Sequence, residues 1–211
     1  MRILVLGATG RVGSEIVRLA HEAGHTVTAF VRDPKKLHAP ADVKVIVGDL
    51  STPKDLTDAL STGIDALLNA IGADPLKPST LVTDTARTAI AAMQAAGVRH
   101  YIAVSGTANM PRKTFFGKLV AAFFGLTPVK NAICDHRGAF ALVQASNLDW
   151  TLSGCPYIKD PATEPGPANY GESDTFTGGF STITPTNVAR FLVKTINDPS
   201  YIHRIVFIWN Q

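Results

Sequence analysis

The stretch ILVLGATGRVGSEIV, residues 3–17, carries three glycines at three-residue spacing directly after an apolar run. The run at residues 3–6 is typical of a buried strand, and the segment that follows Gly10 has the amphipathic pattern of a helix. In such a turn Gly7 lets the chain leave the strand sharply, and Gly10 lets the backbone approach a diphosphate closely. Gly13 lets the helix pack tightly on the sheet, and the free N–H groups at the helix start attract an anion. The stretch therefore predicts a dinucleotide site.

Short β-branched runs alternate with amphipathic segments through the rest of the chain. The strand pattern occurs at residues 3–6, 26–31, 43–47, 66–71, 101–104, 150–153 and 204–208. The helical pattern occurs at residues 11–23, 53–60, 79–96, 135–145 and 185 to about 197. Such alternation is typical of a parallel sheet covered by helices. We therefore predict an α/β fold of Rossmann type, a doubly wound parallel sheet with helices on both faces, in a single NAD(P)-binding domain over residues 1–211.

The regular alternation fails in two places, at residues 106–130 and 155–183, which are long and rich in Gly, Pro and Phe. Both follow predicted strands, and ligands in open α/β sheets bind beyond the carboxyl ends of strands. We expect these insertions to form the walls of a substrate pocket; the alternative is irregular surface. The phenylalanines of residues 115–124 are expected to line the core or the pocket, or to form a dimer or lid surface.

The composition excludes several classes of protein. Of the 211 residues, 45% are hydrophobic and 18% charged, which excludes a disordered chain and suits a sheet buried on both faces. The net charge of +3 comes without a dense Lys/Arg block, so nucleic-acid binding is disfavoured. The two cysteines form no CxxC motif and no His-rich cluster, which predicts reduced thiols and no metal site. The first strand begins too near Met1 for a signal peptide, and the apolar stretch at 115–126 is too short to span a bilayer, so we expect a cytoplasmic protein without membrane contact.

The residues after the second predicted strand, RDPKKL at 32–37, bear on the choice of cofactor. An acidic residue is typical of this position in NAD-binding sites, where it binds the adenosine ribose. Here Arg32 stands there, with Lys35 and Lys36 nearby, and a guanidinium binds a ribose 2′-phosphate in bidentate fashion. We therefore expect NADP as cofactor, with NADPH preferred over NADH. The alternative is a solvated basic turn. The neighbouring Asp33 weakens the preference slightly, unless it caps the short turn of residues 34–37 instead.

Positions after the predicted strands supply the other expected cofactor contacts. Asp49 follows the third strand, where it can meet the adenine amine, and Ser105 follows the fifth, near the nicotinamide ribose or the substrate. The residues after the fourth strand are expected beside the middle of the cofactor. With Arg32, the expected contacts are Gly7, Thr9, Gly10, Arg11, Val12, Gly13, Asp49, Leu50, Ala70, Ile71, Gly72, Ser105, Pro156, Tyr157 and Ile158.

Taken together, GATGRVG at 7–13, Arg32, VGDL at 47–50 and AAMQAAGVRHYIAVS at 91–105 resemble the atypical short-chain dehydrogenase/reductases. Within that group the chain resembles the flavin reductase/biliverdin reductase B branch and bacterial NADH-flavin reductase-like proteins, with NmrA-like proteins as further relatives. The likeness extends from residue 1 to about 160, and it includes the helix-strand-loop pattern of residues 135–160. The resemblance implies an NAD(P)H-dependent oxidoreductase that transfers hydride to a flat acceptor such as a flavin or a quinone.

The chain departs from related enzymes in two respects. Classical members use Tyr-x-x-x-Lys, whose lysine lowers the pKa of the tyrosine, but no tyrosine here has a lysine four positions later. The resemblance implies that the dyad is not needed, because an electron-poor ring accepts hydride directly and water supplies the proton. Where that branch has pocket histidines, this chain has Tyr157 and Phe140. We take Ser105 and Tyr157 as candidate catalytic residues, and His136, beside Asp135, as a surface or capping residue.

A second class of function also fits these residues. NmrA-like relatives bind NADP without turnover and act as redox sensors through protein partners, and the missing dyad is consistent with that role too. A sugar-nucleotide epimerase or dehydratase is less favoured, because it usually needs the dyad and a larger C-terminal domain. As an enzyme, the protein is expected to bind a small aromatic acceptor, and both a monomer and a homodimer remain open.

Overall fold

The computed structural model describes residues 1–74, 76–110, 127, 129–160, 170–176 and 181–211. The strands of this part are β1 (Arg2–Leu6), β2 (Thr26–Val31), β3 (Lys44–Val47), β4 (Ala66–Asn69), β5 (His100–Gly106), β6 (Asp149–Cys155), β7 (Tyr157–Ile158), β8 (Tyr170–Ser173), β9 (Thr182–Ile183) and β10 (Arg204–Asn210). The helices are α1 (Arg11–Glu22), α2 (Pro53–Leu60), α3 (Leu81–Ala96), α4 (Lys130–Ala145) and α5 (Pro185–Thr195). Short 3-10 turns occur at Pro34–Lys36, Thr107–Asn109 and Pro199–Tyr201.

Eight strands form one sheet in the order β3-β2-β1-β4-β5-β6-β10-β8. Neighbouring strands run parallel, except that β8 is antiparallel to β10. The chain first adds β2 and β3 on one side of β1 and then returns to place β4 on the other side. The strand order therefore reverses between β1 and β4, which is where open α/β sheets bind ligands. The doubly wound sheet of Rossmann type is confirmed.

Alternating side chains of the central strands fill a hydrophobic core on each face of the sheet. In β1, Ile3 and Val5 pack with α1 and α5, whereas Leu4 and Leu6 pack with α2 and α3. All four side chains are fully buried. Because both faces of β1 are covered, its sequence is a continuous apolar run.

The predicted strands and helices are all present, with some ends shifted. The fourth strand ends at Asn69 rather than at residue 71, because the Asn69 side chain accepts the N–H of Ile71 at 3.0 Å and turns the chain. Helix α4 begins at Lys130, before the predicted start at Asp135. Strands β7, β8 and β9 were not predicted; β7 and β9 have two residues each and pair with one another.

The two insertions are described only in part. The structure describes 106–110, 127, 129 and 130 of the first, and 155–160, 170–176 and 181–183 of the second. The phenylalanines of residues 115–124 lie outside the described residues, so their expected role stays a prediction. Cys134 and Cys155 are free thiols. Within the described ranges, every helix is too short or too polar to cross a membrane.

Candidate functional site

The glycine turn joins β1 to α1 at the point where the strand order reverses. Gly7 has a φ of +75°, which side chains disfavour, and a Cβ there would lie 2.9 Å from the carbonyl carbon of Ala70. A Cβ on Gly13 would lie 2.0 Å from the carbonyl oxygen of Gly7. The helix therefore approaches the turn, and the turn approaches the end of β4, only because these side chains are absent.

The start of α1 has the properties of an anion site. Gly10 is its N-cap, and within the described part of the chain no side-chain cap bonds to the helix start, which leaves its first N–H groups available. A Cβ on Gly10 would contact only the carbonyl oxygen of Gly7, at 3.2 Å, so the outer side of the turn is open. Uncapped N–H groups and the helix dipole together attract a phosphate group.

Arg11, the first residue of α1, joins the glycine turn to the segment after β6. Its guanidinium donates to the Asp160 carboxylate at 3.1 Å and to the carbonyl oxygen of Ile158 at 3.5 Å. The same segment contains Tyr157, whose side chain is 70% exposed. The fold thus brings Arg11, Tyr157 and Ile158, which were predicted from distant parts of the sequence, to one place.

Arg32 and Asp49 follow β2 and β3 at the same edge of the sheet. Hydrogen bonds from Ser51, first from its backbone N–H, lower the pKa of Asp49, and the charge of Arg32 adds to this effect. The interaction places Arg32 and Asp49 near one another, where the adenosine end of a dinucleotide is expected. Asp33 accepts the N–H of Lys35 at 3.1 Å, which confirms the capping role considered for it.

The remaining predicted contacts differ in what they offer a cofactor. Val12 is buried in the core, so its backbone N–H rather than its side chain is available at the helix start. Ala70 lies against the glycine turn. Thr9 and Gly72 are exposed, and Leu50, Ile71 and Pro156 are half-buried. All of them follow strands at the carboxyl edge or belong to the glycine turn.

A narrow cavity lies between β5 and the helices α3 and α4. Its polar lining consists of Asn69, Tyr101, Ser105 and His136, among apolar side chains of the strands and both helices. Ser105 is buried, and its Oγ accepts a hydrogen bond from Nδ2 of Asn109 at 3.0 Å. The same amide nitrogen donates to the carbonyl oxygen of His136, also at 3.0 Å. Asn109 therefore links the end of β5 to α4.

The titratable groups of this cavity are both held in their neutral forms. Burial raises the pKa of Tyr101 to about 12, although Asn69 donates a hydrogen bond to its hydroxyl at 2.9 Å. Burial also lowers the pKa of His136, and the nearby charge of Asp135 offsets this only in part. At neutral pH the cavity therefore presents a weakly acidic phenol and an uncharged imidazole.

The expectation that His136 is a surface or capping residue was wrong. Its ring lines the cavity beside Ser105 and lies near Gly106, because α4 packs on the sheet at this level. Asp135 is the capping residue: its buried carboxylate accepts the N–H groups of Val82 at 3.1 Å and Thr83 at 2.8 Å. Thr83 lies 52 residues from Asp135 in the sequence, so no local pattern indicates this contact.

Sequence analysis also missed Asn109. It lies four residues after Ser105, within a stretch that has no recognisable motif, and its partners are on a strand end and on a helix. Only the packing of α4 against β5 reveals its position.

Comparison with known proteins establishes the class. The family model described as NAD(P)H-binding matches residues 7–199, from the glycine turn to beyond α5. This match covers most of the chain, and the chain therefore belongs to this NAD(P)H-binding family.

Several curated proteins are similar to this chain. It is 25% identical over 224 residues to the probable pinoresinol-lariciresinol reductase 3 of Arabidopsis thaliana, covering 98% of this chain and 67% of that protein. It is 33% identical over 159 residues to the photosystem II assembly factor Ycf39 of Guillardia theta, covering 73% and 46%. It is 37% identical over 111 residues to the NAD(P)H azoreductase of Xenophilus azovorans, covering 52% and 37%. The chain thus spans less than half the length of the second and third of these relatives.

Solved structures agree with the fold. The oxidoreductase ylbE of Lactococcus lactis superposes with a TM-score of 0.83 at 21% identity, covering 100% of this chain and 91% of that one. ChuY, an anaerobillin reductase of Escherichia coli O157:H7, superposes with a TM-score of 0.77 at 20% identity, covering 100% and 97%. At these identities the likeness is one of fold.

Proposed function

We propose that this protein is an NADPH-dependent reductase that transfers hydride to a flat aromatic acceptor, such as a flavin or a quinone. The observation that carries the proposal is the glycine turn where the strand order reverses, with the start of α1 open to a diphosphate, in a chain without the Tyr-x-x-x-Lys dyad. In the small cavity at the end of β5, burial also keeps Tyr101 and His136 neutral. A described site without a ready acid suits an acceptor that takes hydride directly and is protonated by water. The nicotinamide supplies the hydride when the cofactor is bound.

The predicted residues have separate roles in this proposal. The start of α1 binds the diphosphate, and Arg32 binds the ribose 2′-phosphate. Ser105 contacts the nicotinamide ribose or the acceptor, and Tyr157 stacks on the acceptor through its exposed ring.

The surroundings of the site favour an apolar acceptor. Leu76, on the segment between β4 and α3, is 63% exposed, and Leu81, the first residue of α3, is 46% exposed. Both follow the carboxyl end of β4. Exposed apolar side chains at a binding edge favour a ligand with apolar surface. Three proteins similar to this chain are named as reductases, which supports the reductase assignment: the probable pinoresinol-lariciresinol reductase, the azoreductase and the anaerobillin reductase.

The decisive experiment is an anaerobic assay of NADPH oxidation with FMN, riboflavin and a panel of quinones. Turnover is expected with at least one of them. Tyr157→Phe keeps the ring and should retain most of the activity, whereas Tyr157→Ala should raise KM through lost stacking. A loss of several orders of magnitude in kcat for Tyr157→Phe would instead identify its hydroxyl as a general acid.

The second candidate is a non-catalytic, NADP-binding redox sensor. The likeness to Ycf39, a protein named as an assembly factor, favours it, because that alignment covers 73% of this chain at 33% identity. Tight NADPH binding without reduction of any flavin, quinone or carbonyl acceptor would support the sensor over the enzyme.

A further inference from the structure

The orientation of the Asn109 amide is fixed by its surroundings. Both hydrogens of Nδ2 are used, one donated to Ser105 Oγ and one to the carbonyl oxygen of His136. A backbone carbonyl is only an acceptor, so the amide nitrogen, and not the amide oxygen, must face it. The amide therefore cannot rotate by half a turn without losing this bond.

The fixed orientation leaves Oδ1 of Asn109 buried without a hydrogen-bond partner among the residues that the structure describes. Buried polar atoms are nearly always paired, and an unpaired one calls for an explanation such as a ligand. The other unpaired buried side-chain atom among the described residues, Nε2 of His100, lies at the start of β5 and therefore at the opposite edge of the sheet. Oδ1 of Asn109 lies at the ligand-binding edge instead.

The hydroxyl group of Ser105 complements the unpaired amide oxygen of Asn109. Its Oγ accepts from Asn109, and no described residue accepts its own hydroxyl proton. Ser105 is thus arranged as a hydrogen-bond donor, and Asn109 Oδ1 as an acceptor. The two atoms are close, since Oδ1 shares its amide carbon with the nitrogen that contacts Oγ.

We propose that Ser105 and Asn109 form a donor–acceptor pair that binds the adjacent C=O and N–H groups of an amide. This proposal rests on the proposed function, and it narrows the hydride acceptor to compounds that carry an amide group. A flavin presents such an edge on its pyrimidine ring, as a bilin does on its lactam rings, whereas a quinone has no N–H. The carboxamide of the nicotinamide is a second amide that is expected near Ser105.

Oδ1 is buried, so a ligand can reach it only if neighbouring parts of the chain, such as the 3-10 turn Thr107–Asn109, move. The three residues of this turn are only half-buried. Because Oδ1 makes no hydrogen bond to the described residues, a ligand that reaches it displaces no partner of Oδ1. The pair forms only if the two hydrogen bonds from Nδ2 are kept.

The test compares ligands that differ only in the N–H group, by equilibrium titration rather than turnover. In the acceptor arm, riboflavin is compared with 3-methylriboflavin in the presence of NADP. In the cofactor arm, NADPH is compared with its 3-acetylpyridine analogue, in which a methyl group replaces the amide nitrogen. In one of the two arms the N–H ligand should bind about tenfold more tightly, as expected for one hydrogen bond to a buried group. The arm that shows the difference identifies the source of the amide.

The variant Asn109→Ala should abolish that difference by weakening only the N–H ligand. The control is Asn147→Ala. Asn147 lies before the start of β6, and its exposed amide oxygen accepts a hydrogen bond from Gln94. Its loss should leave the difference in affinity between the two ligands intact. Asn109→Leu, of similar size, replaces the alanine variant if that one unfolds. Equal binding of both ligands by the wild-type protein in both arms, or equal weakening of both ligands in the variant, overturns the proposal.

The outcomes separate this inference from the proposed function. If riboflavin binding depends on its N–H group and on Asn109 but no reduction occurs, the donor–acceptor pair is supported and the reductase function is refuted. If riboflavin and 3-methylriboflavin are both reduced and bind with equal affinity, and the cofactor arm shows no difference either, the reductase function stands and the donor–acceptor pair is refuted.

Discussion

The ion pair between Arg11 and Asp160 predicts opposite effects of one substitution on stability and on cofactor binding. Arg11 lies at the start of α1, where the diphosphate is expected, yet its guanidinium contacts the Asp160 carboxylate at 3.1 Å. A bound diphosphate therefore competes with Asp160 for the same guanidinium. Asp160→Asn keeps the size of the side chain and removes the competing charge.

The exposure of the pair sets the magnitude of both effects. The side chains of Arg11 and Asp160 are 59% and 63% exposed, and exposed ion pairs contribute about 0.2–1 kcal/mol. The free energy of unfolding should therefore fall by less than about 1 kcal/mol, and Tm by at most about 4 °C. In the Asp160→Asn variant, Arg11 no longer has to give up an ion pair in order to bind the diphosphate. The dissociation constant for NADPH should therefore fall by up to about fivefold.

Calorimetric titration with NADPH at low and high salt measures the effect, which should shrink at high salt because the charges are exposed. Glu22→Gln is the matched control, since Glu22 pairs with Arg18 at 2.8 Å at the far end of the same helix with similar exposure. It should lower stability to a similar extent and leave NADPH affinity unchanged. Weaker NADPH binding by Asp160→Asn would show that the pair positions the segment after β6 rather than restraining Arg11.

Three further substitutions test the cofactor site and its frame. Arg32→Ala should weaken NADPH binding about tenfold or more and leave NADH nearly unchanged, and equal affinity of the wild-type protein for both would refute the preference. Gly10→Val should leave the fold intact, because residue 10 has extended backbone angles and an open outer side. It should weaken the binding of NADPH and NADH together. Unchanged affinities in this variant would show that the phosphate binds elsewhere. Asp135→Ala should lower the free energy of unfolding by about 2–4 kcal/mol, because the N–H groups of Val82 and Thr83 lose a buried charged acceptor, and a thermal melt unchanged from wild type would contradict this.

The parts of the structure that sequence analysis predicted are those with local causes. The glycine turn was recognisable because Gly7 and Gly13 are required by contacts within a few residues or at the next strand. The strands were recognisable because burial on both faces demands an unbroken apolar run, as in β1. The turn after Asp33 was predicted because an aspartate before a proline caps residues directly after it.

The parts that were missed depend on contacts between distant segments. Arg11 and Asp160 are 149 residues apart, and Asn109 is 27 residues from the His136 carbonyl that fixes it. A lone histidine has no pattern that distinguishes a surface position from a cavity wall, so the environment of His136 depended on how α4 packs. Nothing in the local sequence encodes these pairings.

Under the proposed function, the diphosphate and the amide-bearing ligand are bound by different kinds of groups. The diphosphate would be bound by backbone N–H groups, which the turn after β1 and the start of α1 offer and which no side-chain change outside the turn removes. The amide would be bound by side chains of β5 and of the turn after it, where packing arranges Ser105 and Asn109. Substitutions of these two residues should therefore leave binding of the diphosphate intact. Arg11 connects the two parts, since it lies at the start of α1 and contacts the segment that carries Tyr157.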